Sequence, residues 1–517
     1  MNLQSVIEET LAKAAVATKQ AMDDPAMKKS ISLTTGLQGY NLQAPAKQLV
    51  PLMSPFRQSI PRIIKPGANS DHWRTITNIV TPTPFTTSRA AGAAMAYTLA
   101  GSAEDGGSGP SSLSAAFKVM GVQGDVDRES QAASQGFDDA LAKETANTLL
   151  MAMKLESQAF IGGRVTALGA ASTPTVALAT TAGSITAGST TYYAMICALN
   201  NFAANRARLD QASLGNYNAN GENMLPGRAV TAAEFNPLGN VAGCGLTAVS
   251  AEGNSGAQTP TNKALKITWA AMQGAAAYAV FVGTTTGAAN LKLNCIVTQN
   301  QVCLTSLNAS GIAADNAAVA STDKSADANG YNGIIEQLLA SGSGAYLKNL
   351  AAGLTGTAAL AEIVEIQDAF SAIYSQAKIG KHRVVVSGIE ARTLAAKGIL
   401  SNSMQIFANP DAGGRLNMTL GAHVGEILNA TTGDRCPVET EPWLPGGVIL
   451  ILPTEIPYPS ANQATPFQWV GSYDWERWDY SSTTTTGPIY PFEVRCNGVL
   501  EAIFTGGCGM IYNVWKG

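Results

Sequence analysis

The sequence predicts an α+β protein that is interrupted by an all-β module. Apolar residues recur at helical spacing over residues 141–163 and again over 360–374, whereas short runs between these two regions alternate apolar and polar residues. Residues 165–322 also carry few charges, so we expect a change of domain near residue 165 and another near Gly330.

The composition argues against several classes of function. The chain has 517 residues, enough for two or three domains, and a formal net charge of −4 with 14% charged residues, so it has no broad basic field to hold nucleic acid tightly and specifically. Abundant Gly, Ala, Ser and Thr with few aromatic residues are more typical of extended assembly proteins than of compact enzymes. The N-terminus has no basic region followed by an apolar run, and no stretch approaches the ~20 apolar residues of a membrane span. We therefore expect a soluble protein made in the cytoplasm, with no membrane partner.

The N-terminal region predicts a short helix followed by an extended arm. Ser5 and Glu8 have the spacing of a capping box, and helical periodicity continues to about Met22. Four prolines between residues 30 and 62 exclude a long regular element there. The apolar residues of this arm need another surface for burial.

Residues 73–125 predict a long β-hairpin. Strand-like runs, WRTITNIV and AAFKVMGVQ, flank a tip rich in Gly, Ala and Ser. Such a hairpin is marginally stable alone, so we expect it to rest on a neighbour. On its returning limb Lys118 is the only lysine between Lys65 and Lys143, and a solvated or salt-bridged side chain is favoured over a covalent crosslink.

The pattern over residues 141–163 predicts a helix of about six turns that ends at Gly162-Gly163, which we interpret as a C-terminal stop. Its predicted apolar face holds Leu141, Ala142, Thr145, Leu149, Ala152, Met153, Ala159 and Phe160, and its polar face holds Lys143, Asn147, Lys154 and Gln158. Glu156 falls in the middle of the apolar face. Either it is buried and paired with an Arg, a Lys or backbone donors, or the helix is half covered and Glu156 is solvated.

The low-charge region predicts a β-sandwich. Leu265, Ile267 and Trp269 alternate toward one face of a strand, and Tyr278, Val280 and Val282 do so in the next. The segment from Asn201 to Gly243 is too long for a simple strand connection. Cys295 and Cys303 flank an expected hairpin turn near Gln299 and could face each other, but free thiols are favoured over a disulfide, as for the other five scattered cysteines.

Beyond Gly330 the chain returns to mixed elements. Leu360, Ile363, Val364, Ile366, Phe370, Ile373 and Tyr374 predict a second amphipathic helix, and RVVVSG predicts a buried strand after it. GGVILILP and EVRCNGVLEAIF predict further strands. In FQWVGSYDWERWDY, Trp475 and Trp478 favour a strand packed against a neighbour over an acid/base pair formed by Asp474, Glu476 and Asp479.

Motifs for chemistry are absent from the sequence. It contains no H-E-x-x-H, no phosphate-binding loop, no G-x-S-x-G and no dinucleotide fingerprint. The three histidines, His72, His382 and His423, are isolated, so structural or surface roles are favoured over catalysis or metal binding. We expect no enzymatic activity, no cofactor and no metal.

The order of these parts resembles that of the major capsid proteins of tailed phages, which have the Hong Kong 97-type fold. The phrase YNLQAPAKQLVPLMSPFRQSIPRI is similar to the family's arm, AFIGG to the end of its spine helix, and YPFEVRCNGVLEAIFTGGCGMIYNV to its terminal strand pair. The implied parts are an N-terminal arm and first core segment at 1–70, an E-loop hairpin at 71–125, the P-domain spine helix at 126–164, an A-domain at 328–455 and P-domain closing strands at 456–517. The region 165–327 resembles an inserted immunoglobulin-like or fibronectin type III-like domain, through phrases such as AGSTTYYAMICALN.

The resemblance implies that copies self-assemble into the pentamers and hexamers of an icosahedral head that encloses double-stranded DNA, and that the protein is located in the virion after assembly in the host cytoplasm. Family members that crosslink use a Lys, an Asn and an acidic catalyst, and no such set can be aligned here, so a shell without covalent crosslinks is expected. The implied partners are further copies of the chain, a portal, a separate scaffolding protein, a decoration protein where one exists, and non-specifically packaged DNA. Candidate assembly contacts are Arg74, Lys118, Glu156, Trp475 and Trp478.

Other functions are weighed against this one. A tail-tube or decoration protein would have a β-dominated core without the long helix at 138–162. A surface adhesin or glycan-binding protein that uses the Ig-like module would require secretion. An encapsulin-like nanocompartment shares the fold, but its shells seldom carry so large an insertion.

Overall fold

The structure is a computed structural model that describes residues 54–73, 75–80, 96–100, 113–134, 139–185, 190–210, 224–258, 262–357, 362–399, 408–410, 416–418, 424–456, 465–480 and 489–515. The expected N-terminal helix, the hairpin tip, Arg74 and His423 lie outside these residues. Within them, no helix is both long enough and apolar enough to cross a membrane.

The described residues contain eight α-helices, and two of them match the helices predicted from periodicity. They are α1 Pro55–Gln58, α2 Arg128–Ser134, α3 Ala140–Gly162, α4 Asn201–Arg206, α5 Ala232–Phe235, α6 Ile334–Leu339, α7 Val364–Ala377 and α8 Gly388–Ile399. The long helix α3 begins where the Asp139 carboxylate accepts hydrogen bonds from the first backbone N–H groups, those of Leu141 and Ala142. The predicted long helix and the predicted second helix, α7, are both confirmed.

The strands form several sheets. In chain order they are β1 Arg62–Ile64, β2 Ser70–Trp73, β3 Thr75–Val80, β4 Ala96–Ala100, β5 Leu113–Ala116, β6 Lys118–Asp127, β7 Thr175–Ile185, β8 Thr190–Leu199, β9 Met224–Pro226, β10 Gly253–Gln258, β11 Lys263–Thr268, β12 Ala277–Gly283, β13 Lys292–Val297, β14 Gln301–Ser306, β15 Tyr346–Gly353, β16 Gly356–Thr357, β17 Glu362–Ile363, β18 His382–Val386, β19 Ala408–Pro410, β20 Leu416–Met418, β21 Glu426–Leu428, β22 Arg435–Thr440, β23 Val448–Pro453, β24 Phe467–Asp479, β25 Ile489–Ala502 and β26 Gly509–Trp515. The predicted α+β class is confirmed.

The first sheet has the order β1-β24-β25-β6 and packs against α3. Ala152 and Phe160 of the helix share one apolar core with Trp469, Phe492 and Val494 of the sheet. The predicted strand in the aromatic segment is confirmed as β24, which pairs with β1 on one side and β25 on the other.

The burial of the two faces of α3 differs from the prediction in both halves of the helix. The predicted apolar face is only partly buried in the N-terminal half, where Leu141 and Leu149 are half-buried. Gln158, predicted on the polar face, is buried at 5% exposure. The cause is that α4 and α6 pack around the last turns of the helix, so that those turns are covered on every side.

The second sheet has the order β15-β26-β23-β18-β22-β21 and is covered on both faces. Ile366 and Phe370 of α7 pack on one face beside Val384, and Val385 on the other face joins the core that contains α3. Because both faces are buried, β18 and β23 are buried along their whole length, as the run RVVVSG predicted.

The strands of residues 456–517, expected as P-domain closing strands, contribute to two different sheets. Strands β24 and β25 belong to the first sheet, but β26 lies between β15 and β23 in the second. The expected terminal strand pair does not form, since β25 pairs with β24 and β6 while β26 pairs elsewhere. The C-terminal strand therefore ties the two sheets together.

Residues 165–327 form two further sheets that enclose a common core, with orders β10-β8-β12-β13 and β7-β11-β14-β9. The two predicted alternations are confirmed, because all six of their residues point into this core: Leu265, Ile267, Trp269, Tyr278, Val280 and Val282.

The hairpin expected between Cys295 and Cys303 is wrong. Strand β13 pairs with β12 and β14 pairs with β11, so the chain crosses from one sheet to the other at this turn and the two thiols do not face each other. All seven cysteines are buried and free, as favoured from the sequence.

Two described helices of the long segment from Asn201 to Gly243, α4 and α5, build a third layer over β12. Helices α4 and α5 bring Ala203 and Phe235 against the face of β12 that carries Ala279 and Phe281, where the rings of Phe235 and Phe281 meet edge to face. This layer explains why β12 is buried on both faces, which a simple two-sheet sandwich does not require.

The described parts of the hairpin consist of β2 paired with β5 and β3 paired with β4. Its base lies on the subunit itself: Thr75 Oγ1 donates to the Ala502 carbonyl at 3.0 Å and Ile76 N donates to the Ile503 carbonyl at 2.7 Å. The predicted antiparallel excursion is therefore present at its base.

Candidate functional site

Glu156 lies at the centre of a buried ion-pair cluster. The C-terminal half of α3 directs it into the space between the helix and β24, where its side chain has no exposure to solvent. Its two oxygens accept from Arg57 Nε at 2.6 Å and Arg62 Nη1 at 2.9 Å. Of the two alternatives drawn from the sequence, the structure has the buried and paired one.

The cluster extends to β24 through Arg62. The Arg62 guanidinium makes a two-pronged contact with Asp474, at 2.6 and 3.0 Å, and lies 4.1 Å from the centre of the Trp469 ring. Trp475 completes it by donating its indole N–H to Glu156 at 3.3 Å. We call Arg57, Arg62, Glu156, Asp474 and Trp475 the arm-anchor cluster.

The electrostatics of the arm-anchor cluster stabilise the charge on Arg62. Burial works against the charge on Arg62, but the carboxylates of Glu156 and Asp474 outweigh it and hold the Arg62 pKa above its usual value. Arg62 therefore stays charged at every ordinary pH. The chemistry of the cluster is that of a structural tie between three segments, with two carboxylates matched to two guanidiniums.

A second buried carboxylate fixes the same segment from the other side. Glu441 accepts from Ser54 Oγ at 2.7 Å and from the backbone N–H of Phe56 at 3.2 Å. Burial raises the pKa of Glu441, while these hydrogen bonds act in the opposite direction. With β1 paired to β24, the chain from Ser54 to Ile64 is held by two carboxylates and a strand ladder.

The candidate assembly contacts lie in different environments. Glu156 and Trp475 are inside the subunit, with Trp475 at 6% exposure. Trp478 is 42% exposed, and the Arg495 guanidinium lies 3.7 Å from the centre of its ring. Lys118 is held on the same chain, since its Nζ donates to the Ala328 carbonyl at 2.9 Å. Only Trp478 of these four offers a large apolar surface to another molecule.

Sequence reasoning missed Arg57 and Arg62, the partners of Glu156. Both lie in the proline-rich segment, where no periodicity marks a residue as buried. The only available signal was the rule that a buried carboxylate needs a cation, which named the residue type but not the position.

The acidic residues and histidines do not assemble a catalytic group in the described ranges. Asp474 pairs with Arg62, and Asp479 pairs with Arg477 at 2.7 Å. Burial lowers the pKa of His382 to about 4, so it is neutral at physiological pH, and its Nδ1 lies 3.1 Å from the Gly380 carbonyl. In the described part of the chain, no group of three or more His, Cys, Asp and Glu side chains could hold a metal ion.

The glycine pair at the end of α3 has a different cause from the one expected. Gly163 has φ −55°, a conformation open to any residue, so no left-handed stop is needed. Instead, a Cβ on Gly163 would lie 2.5 Å from the Tyr331 carbonyl oxygen, and one on Gly162 would lie 2.2 Å from Asn201 Cβ. The pair permits the close approach of neighbouring segments.

This approach joins the two linkers of the 165–327 module. Gly333 N donates to the Gly163 carbonyl at 2.8 Å, and Glu336 accepts from the backbone N–H groups of Val165 and Thr166 at 2.8 and 2.9 Å. The chain therefore leaves the α3 core and returns to it at one point.

The module is also docked on its host at two further places. Asn201 Nδ2 donates to the Trp443 carbonyl at 3.2 Å. At the other place Asn513 of β26 donates to Asn300 at 3.2 Å and to Asn349 at 3.0 Å. These contacts hold the module against both the α3 core and the six-stranded sheet.

Comparison with known proteins gives structural likenesses only. No protein-family model matches the chain. No curated protein matches it by sequence.

Several solved structures are similar to it. The capsid of a native GTA particle has 9% identity, with 93% of this chain and 99% of that chain covered and a TM-score of 0.37. The capsid of the cyanophage P-SCSP1u has 8% identity, covers 92% of this chain and 93% of its own, and has a TM-score of 0.35. The mature capsid of bacteriophage PhiM1 has 7% identity, 92% of each chain covered and a TM-score of 0.34. All three are structures of capsids.

Proposed function

We propose that the chain is a major capsid protein, which self-assembles into the pentamers and hexamers of an icosahedral phage head around double-stranded DNA. The proposal rests on the way in which two segments, residues 54–64 and the base of the hairpin, are attached to the rest of the chain. The arm-anchor cluster fixes residues 54–64, and Thr75 and Ile76 fix the base of the hairpin, both on the subunit's own sheets. Segments that leave the body of the protein from two fixed attachment points can extend over neighbouring copies of the chain.

The segments that leave these points carry the apolar residues of an interface. The arm contains Leu49, Val50 and Leu52 within a proline-rich stretch that cannot form a core of its own. Spreading such contacts over many copies gives a stable closed assembly from individually modest interfaces. Under this proposal the chain has the parts that the sequence resemblance implies: an arm, an E-loop, a spine helix, a P-domain and an A-domain.

The structural role is favoured over the alternatives by α3. A tail-tube or decoration protein would have a β-dominated core without this helix, which runs from Ala140 to Gly162 here. The engagement of Lys118 with the Ala328 carbonyl is consistent with a shell that has no covalent crosslinks. The docked two-sheet module is proposed as an Ig-like domain on the outer surface, and the location as the virion, with a portal and a separate scaffolding protein as partners.

Electron microscopy of the purified protein tests the proposal. We expect closed shells with surface knobs, whereas tubes or monomers would contradict it.

Deleting residues 85–115 should give soluble subunits that fail to close shells, because the hairpin can no longer reach a neighbour. Normal particles from this deletion, seen by negative stain, would refute the hairpin assignment.

Trp478→Ala is expected to impair assembly without unfolding the subunit. The ring is exposed and contacts Arg495, so its loss should change the unfolding free energy by less than about 1 kcal/mol. The yield of closed shells, measured by sedimentation, should fall. Tyr374→Ala is the control, since Tyr374 is an aromatic of similar exposure, 39%, on α7, and this variant should assemble normally. Equal yields from both variants would remove Trp478 from the interface.

A further inference from the structure

Two buried carboxyl groups meet where the base of the hairpin lies on the first sheet. Asp71 of β2 is 9% exposed and Glu501 of β25 is 1% exposed. Their side chains lie within hydrogen-bonding reach of each other. The contact lies a few residues along the chain from the ties made by Thr75 and Ile76, so it belongs to the attachment of the hairpin.

Donors are distributed unevenly between the two groups. Asp71 accepts from Lys65 Nζ at 2.5 Å and from the backbone N–H of His72 at 2.9 Å. Glu501 Oε2 accepts from Gln468 at 2.7 Å, but Glu501 Oε1 is buried and receives no hydrogen bond from a donor among the described residues. If both groups were ionised, Glu501 Oε1 and the Asp71 carboxylate would face each other with no proton between them. A proton on Glu501 Oε1 converts the contact into a hydrogen bond to Asp71.

The surroundings favour that proton position. Burial raises the pKa of Glu501 to about 8 with a further contribution from Asp71, while Gln468 and Lys65 act in the opposite direction. For Asp71, burial is outweighed by hydrogen bonds from Glu501, Lys65 and His72 N, so its pKa is lowered. Ala115 of β5, the strand partner of Asp71, carries no charge, and the uncharged Gln337 of α6 bonds the backbone of Leu500 and Ala502 on either side of Glu501.

We propose that Asp71 and Glu501 share one proton and form a clamp that holds the hairpin base on the sheet, and that loss of this proton to solvent loosens the base. The only bond that breaks is the O–H bond at Glu501 Oε1, and the electron pair stays on the carboxylate. The clamp goes beyond the proposed function, because it is a property of the single chain and applies whatever the chain assembles into.

The direction of the pH effect follows from the two states of Glu501. Its pKa rises from 4.5, the value for an unperturbed group, to about 8 in the folded chain. The folded state therefore binds more protons between these values, and the contribution to stability is complete below pH 4.5, declines as the pH rises to about 8, and is constant above it. Release of the hairpin base itself follows the ionisation of folded Glu501, near pH 8.

Hydrogen exchange on the full-length chain tests the clamp. Amide protection of peptides that cover residues 70–77 and 113–117, corrected for intrinsic exchange, is measured at about pH 6.5 and about pH 9, on either side of the folded pKa. Between these two pH values this protection should fall about 30-fold, because the stabilisation declines about tenfold per pH unit from pH 6.5 to about 8 and is constant above it. Peptides from α7 should show no comparable change. A pH-independent base, or a loss of protection spread equally over the whole chain, would overturn the proposal.

Variants separate the carboxyl pair from other titrations. In E501Q the amide can donate to Asp71 and accept from Gln468 without ionising, so protection should be equal at both pH values. E476Q, which changes an exposed glutamate on β24, is the matched control and should behave as the unmodified chain does. If E501Q does not fold, D71N gives the same test, because the amide that it introduces on β2 donates to an ionised Glu501. If protection in the folded variant still fell about 30-fold between the two pH values, the clamp would be refuted.

Discussion

Replacing Glu156 with alanine is expected to lower the free energy of unfolding by about 3–5 kcal/mol, the usual cost of removing one partner from a buried ion pair. The substitution leaves Arg57 and part of Arg62 buried without their carboxylate. It also removes the acceptor of the Trp475 indole N–H. Guanidinium denaturation of the purified chain, followed by tryptophan fluorescence, measures the change as a shift of the midpoint.

Two further variants identify the cause of that loss. Glu156→Gln keeps the size of the side chain and one acceptor, so its effect should be smaller than that of alanine. Glu476→Ala removes an exposed glutamate from the adjacent strand and should stay within about 0.5 kcal/mol of the unmodified chain. An unchanged midpoint for Glu156→Ala would show that the carboxylate is solvated and that the arm-anchor cluster does not form.

Gly163→Ala is expected to destabilise the chain by about 1–3 kcal/mol, the range for overpacking a tight contact. The added methyl group would meet the carbonyl oxygens of Tyr331 and Ala159 at 2.5 and 2.6 Å. Backbone atoms cannot rotate away as a flexible side chain can, so the two linkers of the module must separate. Scanning calorimetry gives the stability, and limited proteolysis near residues 164–168 and 326–332 reports the opening of the linkers.

The control for this prediction is another glycine with free space. At Gly388, the first residue of α8, an added Cβ meets nothing within 4 Å. Gly388→Ala should be neutral or slightly stabilising, because alanine favours a helix over glycine. If Gly163→Ala were equally neutral, the close packing of the two linkers would be contradicted.

The elements that the sequence predicted are those that local periodicity determines. The helix over residues 140–162 and the alternating strands β11 and β12 are of this kind, because each has a buried face whose apolar residues recur at a fixed spacing. Glu156 could be recognised as unusual for the same reason, since it interrupts such a face. Its burial, however, depended on elements far away in the sequence.

The elements that were missed depend on long-range pairing. A short turn between two strand-like runs favours a hairpin, yet β13 and β14 join different sheets because each finds a better partner in β12 and β11. Likewise β26 is separated from β25, with which it was grouped, by insertion into the six-stranded sheet. No local pattern distinguishes these outcomes.

The position of the helix end at Gly162-Gly163 was predicted correctly, but the reason for the two glycines was not. Gly162-Gly163 does mark the end of α3, as predicted. Gly163 does not adopt a left-handed conformation, and what requires glycine is the proximity of Tyr331 and Asn201, residues that sequence spacing does not relate to the helix.

The arm-anchor cluster also sets the time at which the subunit can be completed. Arg62 and Asp474 are 412 positions apart, so at the ~5–20 residues per second of protein synthesis Arg62 waits roughly 20–80 s for its partner. Thr75 and its acceptor Ala502 are separated by 427 positions. A nascent chain therefore cannot complete the arm-anchor cluster before residue 474 has been synthesised, or attach the hairpin base before residue 502. Both attachments are late events in the folding of this chain.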